Sequence, residues 1–248
     1  IKGAKKHPAK LVESAAMGAV LPPDPTYTPA LPARIAREGI LSDAQIENVV
    51  YAGQAHSQTL PDGRRMGYFI GDGTGVGKGR QLAGIIMDNR LQGRTKAVWL
   101  SASPELINDA RRDWIALGGN KDDILDMRDT KLIKTGIQTD SGILFGAYST
   151  ISHNKNKDAR FKMLRDWLGE DFDGVIAFDE AHKMGNSVPT KKKRGKSKPS
   201  ATAITGIELQ RAFPNARVVY ASATGATKIA DYGYLDRLGL WGKGTAFN

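Results

Sequence analysis

Five short apolar runs follow one another along the chain, each bounded by glycine or polar residues and separated by helix-like or loop segments. They are GYFIG (67–71), AVWLS (97–101), GILFG (142–146), GVIAF (174–178) and RVVYA (217–221). Runs that are apolar at consecutive positions are typical of strands buried on both faces, and intervening helices favour parallel pairing. The pattern predicts an α/β fold, a mainly parallel sheet with helices on both faces and ligands at the carboxyl ends of the strands.

A different pattern precedes the first run. Residues 1–33 are proline-rich around LPPDPTYTPALP, which predicts an extended lead-in lying on the surface. Ser42 has the residue type of a helix N-cap, and the segment after it places Ile46, Val49 and Val50 on one helical face. A helix is therefore expected ahead of the sheet.

The first run leads into a glycine-rich loop that ends in Lys78 and a helical segment. Glycines let consecutive N–H groups converge on an anion, the helix N-terminus adds its positive dipole end, and the lysine can reach the β and γ phosphates. Two positions depart from the usual G-x-x-x-x-G-K-[ST] pattern: Asp72 replaces the first glycine, and Gly79 replaces the hydroxyl residue that ordinarily ligates Mg²⁺. The alternative is a flexible turn that happens to contain a lysine. The residues predicted to bind nucleotide here are Gly73, Thr74, Gly75, Val76, Gly77, Lys78, Gly79 and Arg80.

Two further groups of polar residues stand at strand ends. Asp179, Glu180 and His182 follow the fourth run, and Ser222 and Thr224 follow the fifth. A carboxylate in this place can hold Mg²⁺, and a second one beside it can polarise the attacking water. Helix capping or solvated charge is the alternative for the carboxylates, but a phosphate loop upstream in a parallel sheet favours catalysis. For the two hydroxyls the alternative is a helix N-cap.

The net charge is concentrated in two segments. The chain carries 36 Lys and Arg against 26 Asp and Glu, a formal charge of +10; residues 1–10 hold four lysines, residues 188–200 hold six Lys or Arg, and neither contains an acid. The remaining residues are balanced. The internal segment is predicted to meet nucleic-acid phosphates, with a solvated disordered loop as the alternative.

Composition excludes several classes of protein. The absence of cysteine rules out disulfides, thiolate zinc sites and a cysteine nucleophile. No apolar run approaches the roughly 18 residues of a membrane span, so no membrane partner is predicted and the chain is expected to be cytoplasmic. Because it opens with Ile1, a piece of a longer polypeptide is expected.

The three motifs, in this order, resemble the Walker A loop, DEAH box and SAT motif in the first RecA-like domain of a superfamily 2 helicase. GYFIGDGTGVGKGRQLAGII, the DEAH box and RVVYASATGATKIADYGYLDRLGLWGKGTAF are further similar to the strawberry notch family of helicase-like NTPases, over about residues 27–248. That family shares the Asp-Gly start and the glycine after the lysine. The resemblance implies a RecA-like P-loop NTPase domain over 34–248, a basic loop insertion at 188–200, and a bacterial or phage source.

The resemblance also implies roles for single residues. ATP and Mg²⁺ are the expected cofactors, with Lys78 on the triphosphate, Asp179 on the metal and Glu180 activating water. His182, with Ser222 and Thr224, would relay the nucleotide state. Gln45 falls where such helicases read adenine, with a solvent-facing helix residue as its alternative. The residues expected to contact nucleic acid are Ser101, Ser103, Thr150, Lys191, Lys192, Lys193, Arg194, Lys196 and Lys198. For the first three, ordinary capping is the alternative.

Together these features predict the ATP-hydrolysing N-terminal core of a nucleic-acid translocase or remodeller, with DNA favoured over RNA on family grounds. A second RecA-like domain beyond residue 248 would supply an arginine finger, so the isolated chain is expected to be weakly active. The alternative function is a nucleotide-dependent binding or regulatory module that never translocates, within a larger protein that could be linked to a methyltransferase in an anti-restriction system.

Overall fold

A computed structural model describes residues 3–8, 22–152, 157–187, 191–192, 195–196, 198–223, 232–241 and 245. The strands are β1 (Tyr68–Ile70), β2 (Lys96–Ser101), β3 (Ile124–Asp126), β4 (Gly142–Ala147), β5 (Val175–Asp179), β6 (Lys191–Lys192), β7 (Gly195–Lys196) and β8 (Arg217–Ala221). Six of them form one parallel sheet in the order β1-β8-β5-β2-β4-β3, and β6 pairs antiparallel with β7. The predicted parallel sheet is confirmed.

The helices alternate with these strands. They are α1 (Ala33–Arg37), α2 (Asp43–His56), α3 (Lys78–Leu91), α4 (Ile107–Ala116), α5 (Thr130–Thr135), α6 (Tyr148–Ser152), α7 (Lys157–Leu168) and α8 (Ala201–Ala212). Because the strands are parallel, their carboxyl ends share one edge of the sheet. The three motifs, which follow strand ends in the sequence, therefore lie at that edge.

Helices cover both faces of the sheet. Along β2, Ala97 and Trp99 belong to a core that includes apolar residues of α2, α3 and α4. Val98 and Leu100 point into a second core formed with α7 and α8. Since side chains alternate between faces along a strand, consecutive apolar residues are needed at positions 97–100, and that requirement explains the apolar runs.

The sequence missed one strand of the parallel sheet, β3, and both strands of the small antiparallel pair, β6 and β7. β3 pairs with β4 at the sheet edge, and its residues ILD include only one that is fully buried, Ile124. Two apolar residues are too few to distinguish a strand from a loop, so the sheet has six strands where five were expected.

The helix expected ahead of the sheet begins at its predicted cap. The Ser42 side chain accepts a hydrogen bond from Gln45 N at the start of α2, and Gln45 returns one to Ser42 N, which makes a capping box. Ile46, Val49 and Val50 are all buried. Within the described ranges, the lead-in ahead of α1 contains neither helix nor strand.

The segment 232–241 closes the amino ends of β1 and β8. Its Arg237 is 0% exposed and donates to five backbone carbonyl oxygens. Those oxygens belong to Arg65, Gln210, Phe213, Pro214 and Ala216. Nearby, the His56 ring bonds the backbone oxygen of Val218 through Nε2 at 2.9 Å. This end of the sheet is therefore enclosed by polar contacts to the main chain.

Among the described helices, none has the length and apolar character to cross a membrane.

Candidate nucleotide site

The glycine-rich loop connects β1 directly to α3, as the sequence predicted. Gly75 and Gly77 have φ of 85° and 76°, a left-handed backbone that glycine adopts without steric cost. Gly77 caps α3, so Lys78 is the first helical residue. Its ammonium donates to the backbone oxygens of Asp72 and Gly73 at 3.1 and 2.9 Å, and so lies at the mouth of the loop. Thr74 is exposed at the tip.

Asp72, one of the two departures from the usual pattern, anchors the loop. Its Oδ2 accepts hydrogen bonds from Asn48 Nδ2 on α2 at 3.0 Å and from Gln81 Nε2 on α3 at 2.8 Å. Asn48 is itself held by the Tyr68 hydroxyl, which donates to its Oδ1 at 2.8 Å. The carboxylate thus fastens the loop to both neighbouring helices, a contact that a glycine could not make.

Gly79, the other departure, faces a carboxylate. A Cβ at this position would lie 2.7 Å from Asp113 Oδ2 on α4, closer than carbon and oxygen ordinarily approach. The other carboxylate oxygen of Asp113 accepts from Arg80 Nε at 3.1 Å, and Arg80 also donates to Ile40 O at 3.2 Å. Asp113 therefore occupies the space that a serine or threonine side chain would need.

Asp179 ends β5 at the same edge of the sheet. The Ser101 hydroxyl donates to its Oδ2 at 2.9 Å, and Glu180 N donates to its Oδ1 at 3.0 Å. The buried Tyr148 hydroxyl donates to its backbone oxygen at 2.8 Å. Burial raises the pKa of Asp179 and the adjacent Glu180 charge adds to the rise, whereas the Ser101 hydrogen bond and the Lys78 ammonium lower it. Lys78 and Asp179 follow strands of the same parallel sheet and stand at the same edge of it.

Glu180 and His182 follow in a sharp turn. Glu180 has φ 47°, a left-handed conformation that few non-glycine residues adopt and that concentrates at functional sites. His182 Nδ1 lies 3.3 Å from Glu180 Oε2 and 3.0 Å from Ser222 Oγ. Ser222 N in turn donates to Ile70 O at 3.1 Å, at the start of the phosphate loop. A continuous polar chain therefore joins Glu180 to that loop.

Gln45 is buried beside the loop rather than facing solvent, so the helix-surface alternative is wrong. Its Nε2 donates to Val76 O at 2.9 Å, and its Oε1 accepts from Ser42 N at 2.9 Å. An amide has two donors and two acceptor positions, so one N–H and one lone pair remain. Whether they read a base stays a prediction.

Three residues expected at a nucleic-acid surface are placed differently from one another. Ser101 is 0% exposed, and its hydroxyl is engaged by Asp179. A phosphate contact by this side chain is therefore excluded in this conformation, and Ser101 belongs with the carboxylate site. Ser103 caps the short helical turn Pro104–Leu106, and Thr150 is 9% exposed. Both positions match the capping or structural alternative more closely than an open contact surface.

The basic segment is described only in part. Lys191 and Lys196 face each other in the β6–β7 ladder, with Lys192 opposite Gly195, and Lys198 is exposed. Lys193, Arg194 and Thr224 lie outside the described residues. The role of these residues on nucleic acid stays a prediction.

Several contacts in the site were not found from sequence. Asp113 comes against Gly79 across 34 residues, and Ser101 meets Asp179 across 78. Tyr148, two residues before Thr150, stacks its ring on Phe178, and its hydroxyl reaches the Asp179 backbone. The only sequence signal for these contacts was that each polar residue stands at a strand end or on the helix after it.

The residues present fit a nucleotide with a magnesium ion. Lys78 and the exposed amides of the loop suit a polyphosphate, because an ammonium and converging N–H groups are all donors. In the described part of the chain, no group of three or more His, Asp or Glu side chains is arranged to hold a metal ion by itself. An ion at Asp179 would therefore take its other ligands from phosphate and water. That division is the one Mg²⁺ prefers, with one or two carboxylates plus substrate phosphates.

Known proteins are similar to this chain over nearly its whole length. Residues 6–248 match the model of a family described as P-loop containing NTP hydrolase pore-1. The chain is 45% identical over 256 residues to Protein strawberry notch of Drosophila melanogaster, covering 100% of this chain and 15% of that protein. It is 44% identical over 248 residues to human Protein strawberry notch homolog 2 and 41% identical over 246 residues to Protein FORGETTER 1 of Arabidopsis thaliana. These two matches cover 98% of this chain and 17% and 19% of the relatives.

The chain therefore spans less than a fifth of each of these relatives, which are animal and plant proteins. The bacterial or phage source stays a prediction.

Solved structures share the fold. The Sulfolobus solfataricus SWI2/SNF2 ATPase core, solved with double-stranded DNA, aligns with a TM-score of 0.55 at 12% identity over 78% of this chain and 34% of that one. The DUF1998 helicase MrfA, bound to DNA and AMPPNP, aligns with a TM-score of 0.51 at 16% identity over 83% of this chain and 27% of that one. These likenesses confirm the α/β fold of RecA-like helicase cores. Together with the family match, they establish that the chain belongs to the P-loop containing NTP hydrolase pore-1 family, as a P-loop NTPase domain related to strawberry notch proteins.

Proposed function

We propose that this domain binds and hydrolyses ATP with Mg²⁺ as the N-terminal motor core of a protein that moves along or remodels nucleic acid. The observation that carries the proposal is that the phosphate loop with Lys78, after β1, and the carboxylates Asp179 and Glu180, after β5, lie at the same edge of one parallel sheet. A loop that can bind polyphosphate, next to two carboxylates that can still bind an ion or accept a proton, is the arrangement that phosphoryl transfer to water requires.

Each group would have a distinct role in hydrolysis. The loop amides and Lys78 would hold the triphosphate, and Asp179, oriented by Ser101, would hold Mg²⁺. When bound, the ion neutralises charge on the phosphate oxygens. The Glu180 carboxylate would accept a proton from the attacking water, and His182 and Ser222 would pass the change at the γ-phosphate position to the start of the loop.

Nucleic acid is the proposed partner, and DNA is favoured over RNA. Support comes from the two structural neighbours solved with DNA. The six Lys and Arg residues of the basic segment 188–200 suit a phosphate backbone. A second RecA-like domain, beyond residue 248, would complete the nucleotide cleft. Its arginine finger would account for a factor of about 10³ to 10⁵ in rate, so little stimulated turnover is expected from residues 1–248 alone.

The test is ATP hydrolysis by the complete polypeptide, with and without single- and double-stranded DNA and RNA. Hydrolysis stimulated by nucleic acid, most strongly by DNA, is expected. Glu180→Gln should bind ATP normally and lose at least about 10²-fold in turnover, because an amide cannot take the proton. Glu170→Gln, an exposed carboxylate distant from the motifs, is the matched control and should retain the parent rate.

Two outcomes would overturn the proposal. Parent-like turnover of Glu180→Gln would move water activation to another residue. Nucleotide binding without hydrolysis by the complete protein would favour the alternative of a nucleotide-dependent regulatory module.

A further inference from the structure

The first turn of α7 contains a buried arginine that uses little of its hydrogen-bonding capacity. Arg160 is 4% exposed, and its Nε donates to Met127 O at 3.3 Å. Nη1 is enclosed without a hydrogen-bond partner among the described residues. Nη2 also makes no hydrogen bond there, but it is not enclosed. Arg160 therefore differs from Arg237, whose donors are directed at five main-chain oxygens.

The charge of Arg160 also lacks a counter-ion in the described part of the chain. Burial lowers the pKa of its guanidinium, and no carboxylate of the described residues raises that pKa again. Residues 153–156, which connect α6 to α7, contain no acid. A buried cation without an anion lowers the stability of a fold. An anion bound at Nη2 would remove that cost.

Arg160 lies at the same edge of the sheet as the nucleotide site, but at the other end of that edge. Helix α7 leads from the carboxyl end of β4 to the amino end of β5, so its first turn lies at the carboxyl edge, and Met127 directly follows β3. In the strand order, β1 is first and β3 is last. The phosphate loop after β1 is therefore about 24 Å away, because five spacings of about 4.8 Å separate the two strands. An anion at Arg160 is distinct from the triphosphate on the loop.

Exposed cations lie next to this position, and the nearby acids are already engaged. Arg128 is exposed and pairs with Asp126, with 2.8 Å between Nη2 and Oδ2. Lys131 and Lys134 are exposed on α5, and the Asp129 side chain is used to cap that helix at Lys131 N. One accessible guanidinium nitrogen would hold a free anion weakly. It contributes more to a polymer of phosphates that is also held elsewhere along the edge.

We propose that Arg160 binds a backbone phosphate of nucleic acid where the strand passes the β3 end of the sheet. Nε would keep its bond to Met127 O, and Nη2 would donate to a phosphate oxygen. The inference rests on the proposed function, since it takes nucleic acid to be the partner. It adds a contact residue outside the motifs and extends the path of the strand to the outermost strand of the sheet.

The test measures binding of single- and double-stranded DNA oligonucleotides to the complete polypeptide as a function of salt. Arg160→Met should weaken binding about five- to tenfold, because one charge-assisted contact is lost. The slope of log affinity against log salt should become shallower by about 0.7 for single strands and about 0.9 for duplex, the values for one phosphate. The melting temperature without DNA should not fall, because methionine removes an unpaired buried charge and keeps the apolar contacts.

Three controls accompany this variant. Arg160→Lys keeps the charge and should keep the salt slope of the parent. Arg165→Met, an exposed arginine on the same helix toward the amino edge, should change neither the affinity nor the slope. MgATP affinity without DNA should be the same in all variants, which also reports that each is folded. Inorganic phosphate at fixed ionic strength should compete with DNA equally in the parent and in Arg160→Met.

The outcomes separate this inference from the proposed function. If the parent does not bind nucleic acid, the proposed partner itself fails. If the parent binds DNA and Arg160→Met keeps its affinity and slope, the function stands and the inference is wrong. Competition by inorganic phosphate that depends on Arg160 would identify a site for a free anion and overturn the inference. Arg160→Gln, which keeps a polar donor, decides the case should the methionine variant misfold.

Discussion

Ionisable groups are buried at both ends of the central strands, but their roles differ between the two ends. At the carboxyl ends, burial raises the pKa of Asp179. At the amino ends, burial lowers the pKa of His56 to about 3 and that of Arg237 to about 10. A perturbed pKa is therefore found in both places and does not by itself identify a functional site.

Arg237 and Asp179 differ in how many further hydrogen bonds or ligands they can accept or donate. The Arg237 guanidinium has its donors directed at five main-chain oxygens. Each Asp179 carboxylate oxygen accepts one hydrogen bond and retains a lone pair, beside a loop with exposed amides. The enclosed Arg237, whose donors are used, stabilises the fold, whereas the partly satisfied Asp179 carboxylate beside open space can bind a ligand.

The largest effect is predicted for the stability of the fold on replacement of Arg237. Arg237→Met would leave several buried carbonyl oxygens without donors, and the free energy of unfolding should fall by about 3 to 5 kcal/mol. The melting temperature would fall by about 10 °C. Denaturant and thermal unfolding would measure the loss, and MgATP affinity at low temperature should stay within about twofold of the parent.

Arg211→Met is the matched control, because Arg211 is exposed and pairs only with Asp236 among the described residues; its cost should stay below about 1 kcal/mol. A large loss of ATP affinity in folded Arg237→Met would contradict the separation between the two ends.

The second prediction concerns acid stability and His56. Its folded pKa, about 3, lies below the ordinary 6.5 because burial and the charges of Arg217, Arg65 and Arg237 disfavour the imidazolium. The unfolded chain takes up a proton below about pH 6.5 and the folded chain does not, so stability is lost as the pH falls through this window. Between pH 7 and pH 4.5 the loss from this group should be about 2.5 kcal/mol.

Urea unfolding of the parent and of His56→Gln at both pH values would measure this loss. The variant lacks the titrating ring, so its disadvantage relative to the parent should shrink by that amount at pH 4.5. A difference that does not change with pH would show that His56 is not held neutral.

At the carboxyl ends, Lys78→Ala should affect binding and not stability. A charge-assisted contact is worth about 1.5 to 3 kcal/mol, so ATP affinity should fall about ten- to a hundredfold. Calorimetry would measure the affinity, and the melting temperature without ligand should stay unchanged. Lys121→Ala, a lysine at the far side of the domain, is the control. Unchanged affinity would remove Lys78 from the site.

The smallest effect is expected at Ser101. Ser101→Ala removes the donor to Asp179 Oδ2, which should raise the Mg²⁺ concentration needed for half-maximal ATP binding by about fivefold, equivalent to about 1 kcal/mol. Ser101→Thr keeps the hydroxyl and should restore the parent value. Ser103→Ala, two residues away at the cap of the next helical turn, should have no effect on the Mg²⁺ requirement. A parent-like Ser101→Ala would show that the carboxylate is oriented without it.

The sequence predicted the elements of this site better than their contacts. The five apolar runs, the Ser42 cap and the order of loop, carboxylates and hydroxyls depend on local periodicity and residue type, which a single chain displays directly. The two partners of Asp72 could not be read in this way, because a hydrogen bond to a distant helix requires knowledge of the packing.

The contact of the Ser101 hydroxyl with Asp179 was missed for a related reason. A strand end can point its last side chain toward solvent or toward the neighbouring strand, and the periodicity of β2 does not decide between them. Its neighbour β5 brings Asp179 alongside, and the hydroxyl pairs with that carboxylate.

The contact between Gly79 and Asp113 limits how this loop could evolve. A serine at position 79 would require the Asp113 carboxylate to shift, because its Cβ would lie 2.7 Å from Oδ2. Replacing Asp113 first would leave Arg80 without its ion pair beside the loop and a gap next to the glycine. Neither single substitution on the route to the common G-K-[ST] pattern is neutral, so the two positions are expected to change together or not at all. Once a protein family has Gly79 together with Asp113, it is expected to keep glycine after the lysine. This holds even if a loop with serine or threonine there hydrolysed ATP faster.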